Sequence, residues 1–526
     1  MCSSDLYDIV IAGGGHNALV CGAVLARVGL SVMVAERNPW VGGGVITREV
    51  TLPGFKHDLY GSSHVWIHAN ETFNELKPEL EEFGLKYIWA EDHITGHPNK
   101  EGPGIVVYKS IEKTVESISQ YSRKDAQRYR EIFNEFVNIK DGFIKGMFSP
   151  PSPPSYLPVA MENSREGLRM LRSYNQSAKA FVLENFENPH VQAFILGWAL
   201  APQILPDQQG IGQTFYIMIP AIHFYGESIP EGGSMMLCNA LVNYLEAHGG
   251  AVRTNATVSQ FLVDSNKTAQ GIRLEDGTEI LSRKAVVTSL DPQQTFLRLI
   301  DEQHLNGDFL HMVRNFSFGK VSICRVHYAL NEAPDFLNGK EMSQTAFQRI
   351  FGSVADIDRQ YQEIAAGIAP TNPFLWTACW TTKDPTRAPE GKHTLIMDTF
   401  VPNQLSNGEC WEDIKEDYVQ NVLLRKLQEY TSNMTESNIL GQYIDTAESL
   451  ARDNLSLVNG TTAGGERTLS QSGYFRPFPS YAHYRSPIRN LYMTGPSCHP
   501  GGGISAMGTI TANVMLEDFG FKSKVS

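Results

Sequence analysis

The sequence of 526 residues has few cysteines, and none of them are closely spaced. The seven cysteines stand at positions 2, 21, 238, 324, 379, 410 and 498, and no CxxC motif occurs. A disulfide framework and a zinc site both need clustered cysteines, so the sequence indicates neither, and we expect no metal. Widely separated thiols in odd number fit a reducing compartment, and we expect a cytoplasmic protein.

Positive charge is also in short supply. The chain has 44 Lys and Arg residues against 57 Asp and Glu residues, which gives a formal net charge of −13. Because this charge repels a phosphate backbone and no basic cluster offsets it, nucleic acid is not an expected partner. Apolar residues at 42% and charged residues at 19% are typical of a globular enzyme rather than of a disordered chain.

An uninterrupted apolar run long enough for a membrane helix is missing too. The segment Ile9–Ala35 comes closest, but glycines at positions 13, 14 and 15 break it and no basic region precedes it. This pattern is typical of a buried strand, turn, helix and strand. We therefore expect no transmembrane segment and no signal peptide, while peripheral contact with a membrane stays open.

A glycine-rich turn follows the first apolar strand, at residues 13–18. Its letters, GGGHNA, form a GxGxxA version of the dinucleotide-binding fingerprint. Gly13 permits the tight turn, and Gly15 lets the backbone approach a pyrophosphate at the positive end of a helix. Ala18 lets that helix lie close against the sheet. The turn therefore predicts a dinucleotide site.

A second predicted strand, Ser31–Ala35, ends at an acid. Glu36 stands close to the spacing expected for the residue that binds adenosine-ribose hydroxyls. The unit alone fits either NAD or FAD, but Arg37 and three glycines at 42–44 follow. This extension resembles the glutathione-reductase-type flavoproteins, whose acid, basic residue and paired glycines line the pyrophosphate and ribityl of FAD. The resemblance implies FAD.

Two later segments predict further pieces of the same domain. A helix over Met235–Ala247 precedes several strands, which we expect at residues 251–253, 258–263, 271–274, 279–280 and 285–289. Near the C-terminus a strand at 490–495 runs into an HPGGG turn at 499–503, and a helix should follow from Ile504 to Glu517. The positive end of that helix would stabilise the negative charge of reduced flavin, and Gly502 would leave room for the ring.

With these segments in view, the chain resembles the group of phytoene desaturases, carotenoid isomerases and retinol saturases over nearly its whole length. Within that group the HPGGG turn matches the branch called pyridine nucleotide-disulfide oxidoreductase domain-containing protein 2. The resemblance implies an α/β fold, with a discontinuous Rossmann FAD-binding domain of glutathione-reductase type and an inserted α+β substrate domain. It assigns the following residues to the cofactor site: Gly13, Gly15, Ala18, Glu36, Arg37, Gly42, Gly43, Gly44, Asp58, Gly61, Val258, Gly495, Pro500, Gly501, Gly502, Gly503 and Ile504.

The resemblance also suggests a division into two domains. We expect residues 1–61, 226–299 and 486–526 to form the FAD-binding domain, and residues 62–225 and 300–485 to form the substrate-binding domain. A proline-rich stretch at 149–154 should be a surface loop between helices.

Candidate catalytic residues lie near the expected flavin. Trp376, on a strand that should wall the substrate cavity, and Tyr225, just before the chain re-enters the cofactor domain, are expected to touch substrate. His499 is the best candidate for a base, because its turn should border the flavin. His57 and His64 are the other histidines near predicted flavin segments, and His57 could attach FAD covalently.

Three functions are compatible with this pattern. The first is dehydrogenation of a small apolar or alicyclic substrate, CH–CH to C=C, with electrons passing to oxygen, a quinone or another acceptor. The second is desaturation, isomerisation or saturation of a carotenoid or isoprenoid. The third, from a different class, is an escort or chaperone protein with a flavin fold and no redox turnover. Only one fingerprint precedes a helix, so we expect no independent NAD(P)H site. The amine oxidase relatives carry an aspartate where Pro496 stands, which makes amine oxidation less favoured.

Overall fold

The computed structural model describes residues 5–90, 92–201, 203–210, 214–504 and 507–521. Its strands are β1 Asp5–Ala12, β2 Val32–Ala35, β3 Thr47–Arg48, β4 His57–Asp58, β5 Tyr87–Trp89, β6 His93–His97, β7 Ile105–Tyr108, β8 Ser228–Pro230, β9 Ala251–Arg253, β10 Val258–Val263, β11 Ala269–Leu274, β12 Glu279–Thr288, β13 Val321–Leu330, β14 Phe347–Ile350, β15 Leu375–Ala378, β16 His393–Pro402, β17 Ile439–Asp445 and β18 Leu491–Met493.

Helices cover both sheets and fill the insertions. They are α1 His16–Ala26, α2 Glu71–Glu82, α3 Ile111–Ser119, α4 Arg123–Met147, α5 Tyr156–Met161, α6 Arg165–Asn175, α7 Ala178–Asn185, α8 Pro189–Leu200, α9 Thr214–Tyr225, α10 Met235–Ala247, α11 Pro292–Arg298, α12 Gly307–Arg314, α13 Lys340–Ser343, α14 Val354–Ala365, α15 Trp411–Tyr418, α16 Arg425–Gln428, α17 Ala447–Asp453 and α18 Met507–Asp518. The proline-rich stretch lies between α4 and α5, as predicted.

The first sheet is built around β1. Parallel neighbours β2 and β12 flank it, β9 pairs with β2, and β18 pairs with the end of β12. Strands β10 and β11 add an antiparallel extension on the first half of β12. The predicted strand, turn, helix and strand at the N-terminus are thus confirmed.

Helix α1 explains why the N-terminal region is so apolar. Every residue from Asn17 to Ala26 is buried, because the helix packs against β2, α10 and α18. Small side chains permit this approach: a Cβ on Gly508 of α18 would lie 2.0 Å from the backbone oxygen of Asn17. Across the described ranges no helix is long and apolar enough to span a membrane.

Two sequence predictions about this sheet were wrong in detail. The strands expected separately at 279–280 and 285–289 form one strand, β12. The pattern suggested a break because Ser282, Arg283 and Lys284 are polar and at least partly exposed, although β12 continues through them. The C-terminal helix begins at Met507, so Ile504 lies before it rather than within it.

The second sheet combines strands from both insertions. Its order is β17-β13-β16-β15-β14-β6-β7, and β14 pairs in parallel with β6. One face packs on an apolar core that includes α7, α8 and α14. The two insertions therefore fold as one layer.

The hydrophobic cores divide the chain differently from the expected boundaries at residues 62 and 300. Phe73 and Leu80 of α2 belong to the core of the first sheet, and so do Phe309 of α12 and Phe478. We propose that α2, α12 and the segment around Phe478 belong to the FAD-binding domain.

A buried ion pair joins Asp58 of β4 to Arg387 of the second insertion, residues 300–485. Asp58 Oδ2 accepts a hydrogen bond from Arg387 Nη2 at 2.6 Å, and Asp58 Oδ1 accepts from Thr47 Oγ1 and from the backbone N–H of Ser234. Both charged side chains are almost fully buried. Asp58 is predicted to contact the cofactor, but it does not line the large cavity that lies between the two sheets. Its carboxylate instead holds three segments together.

We expect Asp58→Asn to destabilise the fold strongly. The substitution leaves the Arg387 guanidinium buried without a counter-ion, and breaking such a pair costs about 3–5 kcal/mol. Glu302→Gln is the control, because it breaks the exposed pair with Arg314, worth about 0–1 kcal/mol. Thermal unfolding of both variants checks this. Equal, small shifts in Tm would contradict a holding role for Asp58.

Candidate active site

A cavity of about 650 Å³ runs between the two sheets. The turn after β1 lines one end, together with Glu36 and Val258. Trp376 and Phe347 of the second sheet line the other end. The cavity therefore reaches from the predicted nucleotide turn to the layer built by the insertions.

Two of the three glycines in the turn after β1 have no room for a side chain. Gly13 has φ +92°, and a Cβ built there would lie 2.8 Å from Ser289 Oγ. A Cβ on Gly14 would lie 2.9 Å from the Cβ of Glu36. Helix α1 then starts at His16 with no side-chain cap and no acid in its first turn. The N–H of His16 donates to the carbonyl of Gly42 at 3.1 Å. Because no described side chain caps the helix, its positive end, which faces the cavity, favours a pyrophosphate.

Glu36 is held in place by two backbone amides. Its Oε2 accepts from the N–H of Gly14 at 2.8 Å, and its Oε1 accepts from the N–H of Asn38 at 2.9 Å. Burial raises the pKa of this carboxyl. Because the carboxylate ends β2 and lines the cavity, its position fits a contact with ribose hydroxyls.

Most residues assigned to the cofactor by resemblance line this cavity. They are Gly13, Gly15, Glu36, Arg37, Gly43, Gly44, Gly61, Val258, Gly495, Gly502, Gly503 and Ile504. Ala18, Gly42, Asp58, Pro500 and Gly501 do not line it. Ala18 is buried within α1, and Gly42 donates its N–H to the carbonyl of Gly14 at 2.8 Å. These two residues shape the turn from behind, and we propose the lining residues as cofactor contacts.

The HPGGG turn packs against arginines. A Cβ on Gly502 would lie 2.2 Å from Arg467 Nη2, and one on Gly501 would lie 2.6 Å from Arg476 Nε. Arg467 Nη2 donates to the carbonyl of Gly501 at 2.7 Å. Gly502 is predicted to leave room for a flavin ring. In the structure, the missing side chain of Gly502 leaves room for Arg467, which itself lines the cavity.

His499 does not border the cavity. Its Nε2 contacts the carbonyl of Gly146 at 3.2 Å, and its own carbonyl accepts from Tyr484 Oη at 2.6 Å. Burial lowers the pKa of its imidazole to about 4. The turn bends so that Gly502 and Gly503, rather than His499, meet the cavity. The structure thus removes the reason for expecting His499 to act as a base.

The remaining candidates divide in the same way. Trp376 lines the cavity, but Tyr225 lines a separate pocket beside His68 and Trp89. His57 and His64 are fully buried and do not line the cavity; His57 Nε2 contacts Thr51 Oγ1, and His64 bridges two hydroxyls. Their contacts are structural, so of the expected catalytic residues only Trp376 is in place.

A row of charged side chains that sequence reasoning missed crosses the second sheet. Arg349 on β14 pairs with Trp376 on β15, Trp376 pairs with Asp398 on β16, and Asp398 pairs with Arg325 on β13. All four line the cavity. Arg325 Nε donates to Asp398 Oδ2 at 2.9 Å, and Arg325 Nη1 donates to the carbonyl of Leu59 at 3.0 Å. A single charge within each apolar strand was the signal in the sequence.

Glu227 was also missed. It is 2% exposed, lines the cavity and accepts a hydrogen bond from Ser63 Oγ. Burial raises the pKa of its carboxyl, against the opposing influence of Arg349. Glu227 is two residues beyond Tyr225, the residue that the sequence pattern suggested instead.

Proteins of similar sequence connect this chain with flavin chemistry. The model of a family described as flavin containing amine oxidoreductase matches residues 19–508. The chain is 27% identical to pyridine nucleotide-disulfide oxidoreductase domain-containing protein 2 of Rattus norvegicus, over 98% of this chain and 94% of that protein. It is 28% identical to one of the subunits of limonene dehydrogenase from Castellaniella defragrans, over 98% of this chain and 95% of that protein.

Solved structures agree on the fold. An oxidoreductase from Methanosarcina mazei superposes with a TM-score of 0.62 at 16% identity, covering 97% of this chain and 99% of that one. The solved structures confirm the Rossmann-type α/β fold, and the family match confirms FAD as the cofactor. The cavity residues fit FAD, because the uncapped start of α1, the glycine turn and Glu36 complement a dinucleotide.

We expect Gly502→Ala to impair FAD binding more than Gly503→Ala. Both glycines have positive φ, +57° and +72°, so backbone strain is similar. Only the Cβ at 502 meets Arg467, whereas a Cβ at 503 meets no atom of the described residues within 4 Å. Displaced Arg467 would intrude on the cavity. FAD content after purification and the FAD dissociation constant measure the difference; equal effects would contradict the packing of Arg467 on this turn.

Proposed function

Because the chain belongs to the flavin-containing amine oxidoreductase family, we propose that this FAD-dependent oxidoreductase dehydrogenates a small, mainly apolar molecule, converting CH–CH to C=C. The observation that carries this proposal is the cavity itself. It joins the dinucleotide turn to apolar walls formed by Phe347, Ile396 and Ile323, and it contains the buried carboxylate of Glu227. The relative named limonene dehydrogenase supports dehydrogenation as the reaction.

The chain's own residues position the reaction. The start of α1 and Glu36 bind the dinucleotide, while Trp376 and Phe347 exclude water from the far end of the cavity. FAD, when bound, accepts a hydride from carbon. The adjacent carbon must also lose a proton, so that two C–H bonds break and one C=C bond forms. The two electrons then pass to oxygen, a quinone or another acceptor.

Glu227 is the residue that we propose as proton acceptor. Among the residues described, neither Glu36 nor Glu227 has an arginine or lysine within ion-pair distance, but Glu36 is held by two backbone amides at the nucleotide end, whereas Glu227 interacts electrostatically with Arg349. Asp398, by contrast, is engaged by Arg325. A raised pKa brings Glu227 closer to neutral pH, where a carboxylate accepts a proton from carbon more effectively.

The sequence also predicted two alternative functions, an escort protein and an enzyme that isomerises or saturates double bonds. An escort protein without redox turnover disagrees with membership of an oxidoreductase family. Redox-neutral isomerisation or saturation of a double bond stays a prediction, and product identification separates it from dehydrogenation.

We expect an apolar or alicyclic substrate to bleach the flavin absorption band under anaerobic conditions. Candidates are mixed with the FAD-loaded protein, and products are identified by mass spectrometry. Loss of two hydrogen atoms from the product marks dehydrogenation, whereas unchanged mass marks isomerisation. NADH and NADPH form the control arm and should reduce the flavin slowly or not at all. Rapid, saturable bleaching by NADH would contradict the proposal in favour of a reductase.

Glu227→Gln should retain FAD but slow its reduction by substrate about 10²- to 10⁴-fold, the usual range for a general base. Only the carboxylate form accepts a proton, so the wild-type rate should rise with pH through the raised pKa of Glu227. The Gln variant should lose that dependence. Stopped-flow reduction across pH measures both. A Gln variant with an unchanged rate and pH profile would rule out Glu227.

A further inference from the structure

Arg349 is an unusual residue for a cavity that takes an apolar substrate. The residue is 9% exposed, and its guanidinium lies between two tryptophans. Its Cζ is 4.2 Å from the ring centroid of Trp198 and 5.2 Å from that of Trp376. All three residues line the cavity. A cation is therefore built into the wall where the substrate should bind.

The guanidinium lacks a polar partner within the described part of the chain. It forms no ion pair and donates no hydrogen bond there, and its buried Nε has no acceptor. Glu227 and Asp398 act on it electrostatically, but neither lies within ion-pair distance. Arg325 engages Asp398, and Ser63 donates to Glu227. The nearby carboxylates are thus directed elsewhere.

Contacts with the two indoles do not replace hydrogen bonds. A cation–π contact contributes about 0.5–2 kcal/mol, and it uses the face of the guanidinium. The five N–H donors lie in the plane of the group and point away from that face. Burying a charge without hydrogen-bond partners is costly, so such a group is retained where something supplies an acceptor. A carboxylate matches the planar donor fork in two parallel hydrogen bonds.

We propose that Arg349 binds the carboxylate of the substrate, so that the enzyme acts on a small apolar acid rather than on a hydrocarbon. The apolar part then lies against Phe347 and Ile396, next to Arg349 along the same sheet face. This inference rests on the proposed dehydrogenation, because only that reaction makes the bound acid a substrate. The binding of an anion at Arg349 can be measured separately from turnover. Burial lowers the pKa of Arg349, yet arginine stays protonated at neutral pH.

Binding of unreactive probes to the FAD-loaded protein tests the proposal without turnover. Benzoate, phenylacetate and cyclohexanecarboxylate are each compared with the corresponding amide, which has the same shape and no charge. Calorimetry gives the dissociation constants, and perturbation of the flavin spectrum reports on proximity to the cofactor. At least one carboxylate should bind 10-fold or more tightly than its amide. If every amide binds as tightly as its acid, the proposal is overturned.

Substitutions of Arg349 test whether this residue causes the preference for a carboxylate over its amide. Arg349→Met should abolish it, and Arg349→Lys, which keeps the charge but loses the fork, should retain part of it. Arg359→Met is the matched control, because Arg359 is exposed on α14 and should leave the preference unchanged. FAD content and Tm verify folding, and Arg349→Lys remains informative if the Met variant unfolds.

Two outcomes would count against the anion site at Arg349, and a third would separate that site from the proposed dehydrogenation. A preference that survives in both Arg349 variants would place the anion elsewhere. A preference seen only after FAD is removed would mean that Arg349 serves the flavin. Carboxylate binding without any flavin reduction by candidate substrates would uphold the anion site while contradicting the proposed dehydrogenation.

Discussion

The segment Asp58–Ser62 depends on two buried arginines, and the cavity depends on that segment. Arg387 binds the carboxylate of Asp58, and Arg325 donates to the carbonyls of Leu59 and Tyr60. Gly61 donates its N–H to the carbonyl of Gly44. The segment is thereby fixed between the glycine loop of the first sheet and the strands of the second. Because both arginines come from the second insertion, the cavity forms only when the two layers are assembled.

The two ends of the cavity differ in their charged groups and therefore favour different ligands. At the nucleotide end, the positive start of α1, which no described side chain caps, favours negative phosphate, and Glu36 is oriented by amides. At the other end, apolar walls surround a few buried charges, of which Arg325 and Asp398 are satisfied by each other. At this end, Arg349 and Glu227 have no ion-pair partner among the described residues, and we propose them for substrate binding and proton transfer. A largely apolar site with few convergent polar groups is the usual form of a small-molecule pocket.

Local signals carried much of the prediction. Strand β1, the turn, α1 and Glu36 are contiguous, so periodicity and glycine spacing were sufficient to predict them. The helix Met235–Ala247 was predicted with its observed bounds. The packing of Arg467 and Arg476 against the HPGGG turn could not be predicted, because both arginines lie more than twenty residues away in the chain.

What the sequence could not convey is register between distant strands. Arg325, Arg349 and Asp398 each stand alone in an apolar strand, and only the pairing of β13, β16, β15 and β14 places them in one row. Glu227 becomes a cavity residue through its contact with Ser63, 164 positions earlier. Such contacts depend on tertiary packing, which neither spacing nor composition encodes.

The central claim is that one cavity holds FAD and a substrate. FAD should bind at the turn after β1, and the substrate should bind beside Arg349 on the second sheet. A crystal structure of the protein purified with FAD tests it most directly. The account predicts adenosine density at Glu36 and flavin density reaching the turn at Gly502 and Gly503, with open space left beside Arg349. Flavin density outside this cavity, or a flavin ring that fills the space beside Arg349, would contradict it.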